Sequence, residues 1–169
     1  MLTTGCSVAS QSADVKDLVQ RRYQLSRMAL EPSGRQGIVT RRGTVLVLGI
    51  DGVPANALRV IRPAIYPPQS FVSKPVRHLD NYAPVRIPAD GPLPEARDEF
   101  TLPRGTRLVV LDRKVERDRV RLFTHTLEPI RRADGTTACG CTEFIFPLER
   151  TEGTAALHRR IDRVLSPAA

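Results

Sequence analysis

The stretch "TRLVVLDRKVERDRVRLFTHTLEP", residues Thr106–Pro129, decides the fold class. It is rich in β-branched and aromatic residues, holds no proline before its end, and is interrupted once by the charged triplet Glu116-Arg117-Asp118. That pattern reads as a hairpin with strands near 106–113 and 118–127 around the triplet. Side chains alternate across a strand, so Val120 and Leu122 face one way. Arg119, Arg121 and Phe123 face the other, and one side of the sheet is at least partly wet.

Downstream, Asp134-Gly135 within "ADGTT" marks another turn, followed by a strand through Cys139–Phe146. The last segment, "TEGTAALHRRIDRVLSPAA", has the period of an amphipathic helix over 154–166. Leu157, Ile161, Val164 and Leu165 form its apolar stripe. Thr154 is placed to cap it, Arg159, Arg160 and Arg163 suit its C-terminal half, and Pro167 stops it.

Upstream, Val15, Leu18, Val19 and Tyr23 recur at helical spacing, which predicts a helix over 13–26 with Ser12 as N-cap. Pro32-Ser33-Gly34 is a turn, then Gly37–Thr40 and Thr44–Ile50 read as strands separated by Arg42-Gly43. Ten of the fourteen prolines fall within 54–103. Each removes a backbone donor, so this span predicts an irregular excursion with short edge pieces at Ala57–Ile61 and Pro84–Ile87. The expected fold is mainly β (α+β): a small antiparallel barrel or bent sheet, SH3-like in its second half, with N- and C-terminal helices. Residues 1–12 read as a flexible tail or lipid tether and 13–166 as a single β-rich domain.

The 169-residue chain carries a net charge of +8 from 26 basic and 18 acidic residues. Of the basic residues 23 are Arg and 3 Lys, a skew that GC-rich coding writes into any protein, and they are spread along the chain. The densest region offers Arg35, Arg41, Arg42, Arg59 and Arg62 as contacts for a polyanion. With no Trp, five Phe and three Tyr, stacking platforms for nucleic acid are scarce.

Leu2-Thr3-Thr4-Gly5-Cys6 raises the possibility of lipidation at Cys6. A small residue precedes the cysteine, as the processing peptidase of bacterial lipoproteins requires, and a polar stretch follows. The apolar region that such a signal needs is absent between Met1 and Cys6. The reading therefore supposes a start upstream of Met1; if Met1 is the true start, the protein is cytoplasmic.

Cys139-Gly140-Cys141 is the second candidate, as a soft-metal site, a strained disulfide or two small buried thiols. If Asp134-Gly135 are the central residues of a tight hairpin, position 125 pairs with about 144. Positions 139 and 141 then pair with about 130 and 128, and His125 projects from the face opposite both cysteines, which leaves no three-ligand metal site. His78 near Asp80 lacks a serine or cysteine in a nucleophile elbow, Ser70 and Ser73 included. His158 reads as a solvated helix residue. Asp98, Glu99, Asp112, Glu116 and Asp118 interleave with arginines as salt-bridged strand ends do. No phosphate loop, dinucleotide fingerprint or zinc-protease motif occurs. The residues thus assign no catalytic group, no metal and no cofactor.

Several short runs show a resemblance. Tyr23-Gln24-Leu25-Ser26, Gly37-Ile38-Val39-Thr40, Gly43-Thr44-Val45-Leu46-Val47-Leu48, Gly105-Thr106-Arg107-Leu108-Val109-Val110 and Phe144-Ile145-Phe146-Pro147 are similar to a group of uncharacterised exported bacterial proteins over about residues 21–166. The resemblance implies export and a β-rich module, with no activity attached, and the Cys139-Gly140-Cys141 loop departs from it. The expectation is a non-enzymatic, envelope-associated binding or structural accessory module with a protein partner, touching membrane only through a lipid on Cys6. The competing expectation is a basic protein that binds nucleic acid or another polyanion.

Overall fold

The computed structural model describes residues 6–30, 37–57, 82–92 and 100–169. Its centre is the expected hairpin: β8 (Arg107–Val115) pairs antiparallel with β9 (Arg119–Thr126), closed by a hydrogen bond from the Glu116 amide to the Arg119 carbonyl at 2.9 Å. On one side β9 pairs with β12 (Gly140–Pro147). On the other, β8 pairs with β3 (Val45–Leu48), and β3 with β13 (Leu165–Pro167). The far edge of β12 is shared by β5 (Asn56–Ala57), antiparallel, and β6 (Ala83–Arg86), parallel. Small two-stranded sheets add β1 (Arg27–Leu30) with β2 (Gly37–Arg41), β4 (Val53–Pro54) with β7 (Thr101–Leu102), and β10 (Ile130–Arg131) with β11 (Thr137–Ala138). The protein is mainly β with two helices, and its main sheet is bent and open, with no closed barrel among the described residues.

The sheet buries apolar side chains on both faces. One face meets α1 (Cys6–Arg22) and α2 (Thr154–Val164): Val15, Val19 and Tyr23 pack with Val110, Leu122, Phe144, Phe146, Leu157 and Ile161. Burying a side chain of this size contributes roughly 1.5–3 kcal/mol, so this core dominates the stability. The other face holds a smaller cluster of Val109, Leu111, Cys139 and Cys141, covered by Met28 of β1 and Val39 of β2.

The differences from the sequence reading have physical causes. Helix α1 takes in residues 6–12 of the segment read as tail, and it ends at Arg22, which frees 23–26 for other bonds. The strand over 37–40 pairs with β1, a segment to which the sequence assigns no element, and not with β3. Helix α2 starts after Gly153 with no side-chain cap, so Thr154 is its first helical residue and not its cap. It stops at Val164, because Leu165–Pro167 leave as a strand against β3. The edge piece expected at Pro84–Ile87 is β6; of the one expected at Ala57–Ile61, only Ala57 is described, in β5.

The largest correction concerns register. Arg132 donates to the Thr136 carbonyl at 2.7 Å and receives a bond from the Gly135 amide at 3.0 Å, so three residues form the loop instead of two. Gly135 supplies the left-handed φ of 83° that such a loop requires. Farther down, three residues on one strand (127–129) face only Cys139 on the other, at the point where Pro129 can donate no ladder bond. The resulting shift places Cys141 directly opposite His125. His125 therefore lies on the same face as Cys141, contrary to the expected arrangement.

Candidate anion-binding cleft

Residues 23–26 run from α1 into β1, and a set of short bonds ties them to 43–44. The Gln24 amide donates to Thr44 Oγ1 at 2.8 Å, the Thr44 hydroxyl donates to the Arg22 carbonyl at 3.0 Å, and the Thr44 amide donates to the Gln24 carbonyl at 2.9 Å. The Gly43 amide donates to Ser26 Oγ at 2.8 Å, and the Ser26 amide reaches the Val110 carbonyl of β8 at 2.7 Å. A Cβ on Gly43 would stand 2.2 Å from the Gln24 carbonyl oxygen, so only glycine allows this approach.

The clamp opens a cleft of about 450 Å³ between the end of α1, the start of the β1–β2 hairpin and β8. Its lining includes Arg27, Arg41, Arg42 and Arg113, with Gln20, Gln24 and Ser26, and among the described residues no carboxylate. Arg27 and Arg41 stand directly opposite each other in the β1–β2 ladder. Like charges in that relation repel. Thr40 is the extra residue of a bulge beside them, and its hydroxyl donates to the Arg27 carbonyl at 3.3 Å. Arg27, Arg41 and Arg42 are exposed, and among the described residues none forms an ion pair.

A second bulge, between Val110 and Asp112 of β8, sets the sign of charge on this side. Before it, Leu108 and Val110 face the helices; after it, the odd-numbered Arg113 and Val115 do. Arg113 donates to the Tyr23 carbonyl at the end of α1, which fixes its guanidinium at the cleft. Asp112 turns to the other face, opposite Phe123. Bulges re-aim side chains in this way beside binding sites.

Elsewhere six arginines are engaged in ion pairs among the described residues. Arg21 pairs with Asp17, Arg22 with Asp162 and Arg107 with Glu128. Arg119 and Arg121 share Glu116 at 2.6 and 3.0 Å, and Arg121 also reaches Glu143. The Arg121 guanidinium, followed by Arg119, holds the Glu116 carboxyl below the usual carboxylate range. This is the salt-bridged hairpin tip expected from the sequence. Arg160 is buried, where the sequence reading had placed it with the dipole-facing arginines. It donates to the carbonyls of Ile87 and Pro147 and pairs with Glu152 at 2.6 Å. A second hollow, about 670 Å³, lies between Val15, Val115, Leu148 and Leu157, and two of its carboxylates, Glu116 and Glu152, are in the ion pairs just described.

The thiol segment sits in the second core. Cys139 and Cys141 are buried, and burial, followed by the neighbouring Cys139, pushes the Cys141 thiol up to about 12. His125 is 1% exposed. Its Nδ1 lies 2.6 Å from the Thr126 carbonyl, which fits an N–H donor there, and its Nε2 has no partner among the described residues. Burial drives its pKa down to about 4. Although the register places His125 beside Cys141, no group of three metal-ligating side chains forms among the described residues. His158 pairs with Asp162 at 3.2 Å on the face of α2 toward α1.

Of the five arginines singled out from the sequence, Arg41 and Arg42 line the cleft, while Arg35, Arg59 and Arg62 lie outside the described residues. So do Ser70, Ser73, His78, Asp80, Asp98 and Glu99. Cys6 opens α1. Arg27 and Arg113 are not marked by the sequence reading, the first because Arg27–Leu30 carries no clear strand signal, the second because the bulge re-aims it. A signal for the second was present: the inward apolar positions are even-numbered at Leu108 and Val110 but odd-numbered at Val115. No family model matches the chain, and no curated protein or solved structure is significantly similar to it.

Proposed function

We propose that the protein is a non-enzymatic binding module, an accessory of the bacterial envelope, whose recognition site is the arginine cleft. The observation that carries this reading is the convergence of Arg27, Arg41, Arg42 and Arg113 on one cleft that, among the described residues, is lined by no carboxylate. Guanidinium groups favour carboxylate and phosphate partners through paired donors. The thiols and His125 support a non-catalytic role, because they are shut into a core, where burial disfavours the charged forms of Cys141 and His125. Placement at the envelope rests on Gly5-Cys6 and on the resemblance given above, and labelling with a tagged fatty acid that survives Cys6→Ser would overturn a lipid at that residue.

Thermal melts in low salt with small multivalent anions, and with heparin as a long polyanion, test the cleft. The expected result is a rise in melting temperature that disappears in the variant Arg27→Gln/Arg41→Gln/Arg42→Gln. An unchanged rise in that variant would remove the cleft from consideration. The second reading, a general polyanion binder, is favoured by the presence of Arg41 and Arg42 on the cleft. It requires affinity for heparin to fall steeply with salt, because each neutralised backbone charge releases counterions.

A further inference from the structure

The charge around the cleft is local, and this bears on the ligand's size and valence. The two basic residues of α1 nearest the cleft, Arg21 and Arg22, are occupied by Asp17 and Asp162. Around the cleft, the positive charge without an ion pair among the described residues therefore lies on Arg27, Arg41 and Arg42, with Arg113 held at the rim by the Tyr23 carbonyl. A long polyanion needs a track of cations, and the paired arginines interrupt one on the α1 side. A single carboxylate would neutralise one of three guanidinium groups and leave the facing Arg27 and Arg41 repelling each other. A dianion with several acceptor oxygens offsets that repulsion. The neutral groups of the lining, the amides of Gln20 and Gln24 and the hydroxyl of Ser26, can all donate to it.

We propose that the cleft seats one phosphoryl dianion, as carried by a phosphomonoester, bridged between Arg27 and Arg41 with Arg42 as the third contact. This rests on the reading of the cleft as the recognition site. The same chemistry is supplied by a soluble phosphomonoester or by a lipid whose headgroup is one. Among the described residues the charged groups lining the site are all arginines, Arg27, Arg41, Arg42 and Arg113, and the ligand's own second ionisation near pH ~6 governs binding.

The test is calorimetric titration of the full chain at low salt with glycerol 1-phosphate, dimethyl phosphate and succinate, together with binding to phosphatidylcholine vesicles with and without phosphatidic acid. The expected result is binding of glycerol 1-phosphate that weakens as the pH falls below about 6. Arg27→Gln or Arg41→Gln should reduce it roughly tenfold, since a charge-assisted bond is removed. All three arginines are exposed, so the variants should keep the wild-type melting temperature, which is measured alongside. Stronger response to phosphatidic acid vesicles than to glycerol 1-phosphate identifies the lipid source, and the reverse the soluble one. Equal affinity for dimethyl phosphate, a monoanion, overturns the dianion assignment. Tighter binding of succinate with the same arginine dependence also overturns it while leaving the cleft as an anion site. No binding of any anion, heparin included, ends both readings.

Discussion

His125 is a titratable residue withdrawn from water into the smaller core's side of the sheet. Its imidazole, 1% exposed, is held down at about 4 by burial, while the unfolded chain keeps the ordinary value near 6.5. The native state is thus neutral at a pH where the unfolded state takes a proton. The stabilisation this gives is complete above pH ~6.5, is lost as pH falls toward ~4, and changes no further below that, an effect of about 3 kcal/mol. Urea midpoints at pH 7 and pH 4 should fall by more in the wild type than in His125→Gln, whose side chain does not titrate. Equal falls would show that His125 is not buried neutral. Gly43 is a second residue where geometry alone sets the outcome. An added methyl group meets the Gln24 carbonyl oxygen at 2.2 Å and the Leu25 carbonyl carbon at 2.6 Å, both main-chain atoms that cannot turn aside. Gly43→Ala should cost about 2–3 kcal/mol by urea denaturation, as other steric and strain mechanisms do. A cost within the ±0.5 kcal/mol typical of surface changes would show that the turn relaxes freely.

Among the elements, α2 is tied to the sheet by a buried cation. Arg160 joins the end of β6 through the Ile87 carbonyl, the end of β12 through the Pro147 carbonyl, and the loop before α2 through Glu152. Removing one member of a buried pair strands the other, so Arg160→Met should destabilise by about 3–5 kcal/mol in chemical denaturation. Adding Glu152→Gln to that variant should restore part of the loss, because the stranded charge goes with it. A double variant no more stable than Arg160→Met would assign the cost to the two carbonyls instead. The central hairpin was legible because its alternation is long and its turn strongly charged. The register of His125 against the thiols was not, because it depends on one residue of loop length at 133–135 and on how the chain bends around Pro129. A one-residue change in loop length reverses every side chain beyond it. Arg160 was misplaced for a different reason: helical spacing locates it beside Ile161, but only the tertiary fold brings carbonyls within its reach.

The molecule as a whole is a sheet with two unequal cores, and the asymmetry governs which part opens first. The larger core is closed by both helices, and its apolar periodicity was visible in the sequence from Val15 to Tyr23 and from Leu157 to Val164. The smaller is closed among the described residues by the β1–β2 hairpin, whose Met28 and Val39 pack over Val109, Leu111, Cys139 and Cys141. This cover was not legible, since Arg27–Leu30 has neither the length nor the alternation of a clear strand, and its partner was expected to pair with β3. The Ser26–Val110 and Gly43–Ser26 bonds fasten the hairpin at the same end that forms the arginine cleft. Regions with few buried apolar contacts open with less free energy than the global transition. Thiol access should therefore follow the hairpin. In a Cys6→Ser background at pH 8, the native protein should react slowly with a disulfide reagent, since burial pushes the Cys141 thiol up to about 12 and excludes the reagent. Met28 is 3% exposed. Its truncation in Met28→Ala leaves a cavity costing about 2–5 kcal/mol, most of it in the cover, and should speed the reaction roughly tenfold or more. Far-UV circular dichroism should stay unchanged at the same temperature. A rate that rises only in proportion to the globally unfolded fraction would show that the two cores open as one.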